Sequence, residues 1–142
     1  MSTDERLEDG SILLLRQIHP TWIQENEVST KAFDPASLSS LAFNPTKQHQ
    51  FKLSTAHGKM ISPEAAWERH TQQLGQKSVG VMAVSVAECQ TQELPAIHDR
   101  YQFEDHVSVD FNGLSNGQRG RKASALREAA QKRDWQFLAG TD

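Results

Sequence analysis

Ser78-Val79-Gly80-Val81-Met82-Ala83-Val84 is the stretch on which the fold turns. Its residues are apolar at odd and even positions alike, so both faces of an extended chain favour burial. The stretch predicts a strand at the centre of a sheet. Downstream, His106 to Phe111 alternates, with His106, Ser108 and Asp110 on one face and Val107, Val109 and Phe111 on the other. Upstream, Ser62-Pro63-Glu64 starts a helix: Ser62 caps free N–H groups, Pro63 suits the first turn, and Glu64 favours the positive end of the dipole. Ala66, Trp67, His70, Thr71 and Leu74 fall near one side of it, and Gly75 stops it.

Three further strands are expected: Ser11 to His19, halted by Pro20; Val28 to Phe33; and Phe51 to Thr55. Val86 to Leu94 reads as a short helix ended by Pro95. Ser115 and Gln118 match a capping box, and a long helix follows to about Asp134. The candidate core is Leu13, Leu15, Val79, Val81, Val84, Val107, Val109 and Phe111. Residues 1–10 read as a flexible acidic arm, residues 34–50 as a long loop rich in Pro, Ser and Asn, and residues 11–142 as one domain. The fold class is α+β: a single small domain, a mostly antiparallel or mixed sheet, and two to three helices, the last long and basic.

With 142 residues, 37% hydrophobic, the chain fits one modest core. Its mean hydropathy is −0.62. The apolar run Ile12 to Leu15 is too short for a membrane span or a signal-peptide core. A lone cysteine, Cys89, forms no internal disulfide, so a reducing cytoplasm is expected, with Cys89 as a small buried hydrophobe.

Charge is segregated. Arg119 to Arg133 holds six Lys/Arg and one Glu, a net of +5 in a chain at −3, which leaves −8 for the remainder. At about 100° per residue, Ala123, Leu126 and Ala130 form one stripe. The cations form a collar around it, unlike the single basic face of a DNA-reading helix. Two readings compete. The helix is a solvated surface element with snorkelling stems, or Arg121, Arg127 and Lys132 face an acidic macromolecule, a protein in preference to nucleic acid.

A second constellation is Arg16, His19 and His106, with Ser29, Lys31, Ser54 and His57 as neighbours. Two histidines can act as general base and general acid, and a nearby cation can stabilise an anionic transition state. That is the cast of a metal-independent phosphodiesterase or ribonuclease-like enzyme. The competing reading is structural, since a His before Pro at a strand end commonly ends the strand. His98-Asp99 and Glu104-Asp105-His106 offer metal-ligand types without a metal-site spacing, so no metal and no cofactor is assigned.

Leu15-Arg16-Gln17-Ile18-His19-Pro20, Val28-Ser29-Thr30-Lys31-Ala32-Phe33, Leu53-Ser54, Lys77-Ser78-Val79-Gly80 and the late His106-Val107 together resemble a pattern of small bacterial proteins, R-x-I-H-P, then V-S-x-x-A-F, then a late His. The resemblance implies a bacterial cytoplasmic protein and adds weight to Arg16, His19, Ser29 and His106; it brings no activity. The leading expectation is an interaction module of accessory, regulatory or immunity type, without membrane association. The alternative is the enzyme built on His19, His106 and Arg16.

Overall fold

Antiparallel pairing organises the chain. The computed structural model describes residues 4–24, 27–33 and 51–139. Its strands are β1 (Glu5–Arg6), β2 (Leu13–Ile18), β3 (Ile23–Gln24), β4 (Glu27–Val28), β5 (Lys52–His57), β6 (Gly80–Ser85), β7 (Ala96–His98), β8 (His106–Asp110) and β9 (Phe137–Leu138). Seven make one sheet in the order β1-β7-β8-β5-β2-β6-β9, and β3 pairs with β4. Every neighbouring pair is antiparallel. The helices are α1 (Pro63–Glu68), α2 (Val86–Thr91) and α3 (Asn116–Arg133). The domain is α+β, as the order of elements implied.

The sheet is covered on both faces. Leu14, Ile18, Met82, Val84, Val107 and Val109 pack on one side with Cys89 of α2 and with Ala123, Leu126 and Ala130 of α3. Leu15, Ala56, Val81 and Ala83 meet Ala66 and Trp67 of α1 on the other. That explains β6, whose six residues are all buried. The strand sits next to the sheet's edge rather than at its centre, which β5 occupies. Apolarity on both faces reports two covering layers, not a middle position. β9 returns to pair with β6, and at Gly80 a Cβ would lie 2.4 Å from the Phe137 carbonyl oxygen. Glycine is required there for close approach.

Local signals set the helices. Ser62 accepts from the Ala65 N–H, and Ser115 and Gln118 close their capping box. Ser85 and Glu88 form a second box that starts α2 directly from the end of β6. Three expectations change. Val28 to Phe33 is not one strand: β4 ends at Val28 and Thr30–Phe33 is a 3-10 turn. Arg69–Gln73 continues α1 as a π-helical turn. Glu5–Arg6, expected in a loose arm, pairs with Ile97 and His98 at the sheet edge. The loop expected over 34–50 lies outside the described residues.

Candidate active site

β2 and β5 pair only at Leu14–His57 and Leu15–Ala56. β2 meanwhile stays paired with β6 as far as Ile18, and β5 stays paired with β8 as far as Lys52. The sheet thus parts between β2 and β5 beyond Leu15. A cavity of ≈ 230 Å³ opens beside the parting, roofed by α1 and the π-helical turn.

Arg16 occupies the parting. It is 2% exposed. Its Nε donates to the Ala32 carbonyl and its Nη1 to the Ser54 carbonyl, both at 2.9 Å, and its guanidinium lies 5.1 Å from the Trp22 ring centre. Splayed strands leave backbone carbonyls without ladder partners, and a planar guanidinium can satisfy several of them. Burial pushes its pKa down to about 9, so it remains a cation at neutral pH. It lines the cavity.

His106 opens β8. The register sets Ala56 opposite His106 and Ser54 opposite Ser108, so Ser54 and His106 are diagonal neighbours on one face. The Ser54 hydroxyl and His106 Nε2 are 2.9 Å apart. On the other side of the ring, His106 Nδ1 lies 2.6 Å from Asp99 Oδ1. The second Asp99 oxygen accepts from the Ser108 hydroxyl at 2.6 Å, and the Tyr101 N–H adds a third bond. Burial opposes ionisation of Asp99, but the His106 and Ser108 hydrogen bonds outweigh it and hold the carboxyl at about 2. An ionised carboxylate only accepts, so Nδ1 carries the proton. In neutral His106, Nε2 is therefore the acceptor and the Ser54 O–H donates to it. Ser54, His106 and Asp99 thus form one hydrogen-bonded relay, with the connectivity by which a serine, histidine, aspartate triad is recognised.

The hairpin loop after β7 bends sharply to bring Asp99 beside His106. Arg100 and Gln102 have φ of 54° and 68°, in the left-handed region that non-glycine residues seldom adopt. Beyond them, Arg69 makes a bidentate pair with Asp105 at 2.7 and 2.8 Å, and its guanidinium lies 3.8 Å from the Phe103 ring centre. That pair ties the π-helical turn to the loop and closes the far wall. His70, in the same turn, also lines the cavity. Burial first, then the charge of Arg16, pushes its pKa down to about 4.

Of the residues singled out by sequence, Arg16, Ser54 and His106 converge on the cavity. His19 does not line it: its Nδ1 accepts from the Thr21 N–H and caps the Pro20–Trp22 turn. His57 packs against His98, ring centres 5.3 Å apart. Ser29 is half-buried, in the turn that holds Ala32 against Arg16. Lys31 lies on the Thr30–Phe33 turn, and its side chain falls outside the described residues. On α3, Arg127 corrects the expectation of a free outward cation, because its Nε donates to the Val28 carbonyl. Lys122 donates to the Gln92 carbonyl, Arg133 pairs with Glu88 at 2.7 Å, and Arg119 binds Asn116. Arg121 and Lys132 remain exposed.

Asp99, Tyr101, Arg69 and His70 were not assigned to this site from sequence. Asp99 stood out only as part of an acidic, His-containing stretch, and the nearest available signal was its place seven residues before His106. Among the described residues no group of three His, Cys, Asp or Glu side chains is placed to hold a metal ion. None of the described helices is long and apolar enough to cross a membrane. No family model, no curated protein and no solved structure matches this chain.

Proposed function

We propose that this protein is an enzyme that cleaves a small phosphoester, with Ser54 as nucleophile, His106 as general base and Asp99 as the group that orients it. The observation that carries the reading is the unbroken chain from Asp99 through His106 to the Ser54 hydroxyl at the wall of a cavity. In the first step Ser54 Oγ bonds to phosphorus as its proton passes to His106 Nε2. The bond to the leaving alcohol breaks, and that oxygen takes the proton from His106. Water then gives a proton to His106 and attacks phosphorus, the Oγ–P bond breaks, and Ser54 recovers its proton. Asp99 stabilises the transient imidazolium. Arg16 supplies positive charge near the reacting centre, where burial strengthens its field. His19, assigned to catalysis in the sequence-based reading, has no part in this step.

The test is turnover of nitrophenyl mono- and diesters of phosphate, with nitrophenyl acetate alongside. Ser54→Ala and Asp99→Asn should each lower kcat by about 10³-fold or more while the fold persists. Cleavage of acetate alone would reassign the relay to acyl transfer. Full activity in Ser54→Ala would remove the serine from the chemistry.

A second reading has its own observation. Arg121 and Lys132 are exposed on α3, and no hydrogen bond or ion pair among the described residues holds either. They suit an acidic partner, a protein in preference to nucleic acid, met through complementary charge in an accessory, regulatory or immunity role. Four of the helix's six cations bind within the domain, which narrows this surface to two residues. A bacterial cytoplasmic setting accords with the short motifs around Arg16 and with Cys89. Burial pushes that thiol up to about 12, which leaves it inert rather than poised for disulfide exchange.

A further inference from the structure

We infer that the cavity wall between Arg16 and His70 is a binding subsite for a tetrahedral dianion, and that His70 takes up a proton when the anion enters. The inference rests on the enzyme reading for its meaning, since it names the part of the substrate held while Ser54 reacts. The binding event itself does not require Ser54.

Three observations support it. Arg16 and His70 line the same cavity, one from β2 where it parts from β5 and one from the π-helical turn. π-helical turns inside α-helices recur at functional sites because the extra residue re-aims a side chain. Here the turn follows α1 directly and carries two cavity-lining residues in succession, Arg69 and His70. The two have different tasks. Arg69 is committed to Asp105. His70 is the group whose charge can change.

The electrostatics around His70 are one-sided. The charged and titratable groups that act on it are Arg16 from β2, Arg69 from its own turn and His19 from the end of β2, and all three disfavour a second positive charge. His106 and Tyr101 line the same cavity. A hydrogen bond to the Lys77 backbone favours the protonated ring. Burial and the repulsion of Arg16 therefore favour the neutral form of His70. A dianion beside Arg16 reverses the sign of the local field, and the imidazolium becomes a second donor to it. Anion binding and proton binding are then linked, each strengthening the other.

Sulfate tests this in the full-length protein, because its charge is constant across the useful pH range. Titration calorimetry at pH 7.5 and 5.5 should show sulfate binding about tenfold tighter at the lower pH. Repeating it in buffers of different ionisation enthalpy should reveal uptake of close to one proton. The His70 ring resonances should move on sulfate addition and titrate at higher pH in its presence. His70→Gln should keep the binding but lose the proton uptake and most of the pH dependence. Ser54→Ala should bind sulfate as the wild type does even if it is inactive, so failure of the subsite and failure of the serine chemistry are read separately. Arg16→Gln is the direct variant but removes a buried support, so the wild-type resonances carry the decision if it does not fold. pH-independent affinity, absence of proton uptake, or shifts confined to α3 near Arg121 would each overturn the proposal.

Discussion

A single carboxylate decides what His106 can do. Replacing Asp99 by Asn substitutes an N–H donor or a weaker acceptor for the ionised oxygen that now receives Nδ1–H, so the ring loses its fixed tautomer. The same residue leaves a mark on stability. Its pKa falls from 3.8 to about 2 on folding, so the stabilisation is present above pH 3.8 and is lost as pH falls through about 2. The amount is on the order of 2 kcal/mol. His70 acts in a different window. Its pKa falls from 6.5 to about 4 on folding. Between those values the unfolded chain binds a proton that the folded chain refuses, so stability declines with acid over that range. Urea unfolding at a series of pH values should show the decline between pH 6.5 and 4 flattened in His70→Gln and the decline between 4 and 2 flattened in Asp99→Asn. Parallel pH profiles for both variants and the wild type would mean that neither group differs between the folded and unfolded states.

At the scale of the element, α3 shows how a charged sequence can serve the interior. Its apolar stripe, Ala123, Leu126 and Ala130, is buried as the helical period requires. Around it the cations staple the helix to its surroundings: Lys122 to the end of α2, Arg127 to β4, and Arg133 to Glu88 and the Ala83 carbonyl. The collar geometry was legible in the spacing, but the acceptors were not, because the Gln92, Val28 and Ala83 carbonyls belong to distant parts of the chain. Changing Arg121 and Lys132 together to Glu should leave stability within about 1 kcal/mol of wild type, since both are exposed. If the helix docks an acidic partner, the double variant should associate more slowly, and the wild-type interaction should weaken as salt is raised. Equal association rates at low salt would leave α3 with the structural role alone.

For the whole molecule the decisive feature is a sheet covered on both faces and split along part of its length. Val81 is fully buried between its layers. Val81→Asp should prevent folding, because an unpaired buried carboxylate costs several kcal/mol, comparable to the stability of a small domain. A soluble variant with an unchanged melting temperature would show that β6 is not integral to the core. Of the eight residues expected in that core, Leu15, Val81, Val84, Val107, Val109 and Phe111 are buried, and Leu13 and Val79 pack at its margin.

The amino-acid sequence by itself determined the α+β class, the main strands, the capped start of α1 and of α3, and the buried stripe of the last helix. Each rests on contacts between residues near in the chain or on a period of two or 3.6, which a linear reading can count. It also marked Arg16, His19 and His106 as a group with chemistry in common, with Ser54 among their neighbours. Only the tertiary structure decided that Arg16, Ser54 and His106 meet, that His19 turns away to cap a helix, and that Asp99 completes the relay. The physical reason is register. Ser54 meets His106 because β5 pairs with β8, Asp99 because a left-handed bend folds the β7–β8 hairpin, and Arg16 because β2 and β5 part after two residues. Pairing across 52 residues and a parting of strands are set by the packing of the whole sheet, and no local pattern encodes them.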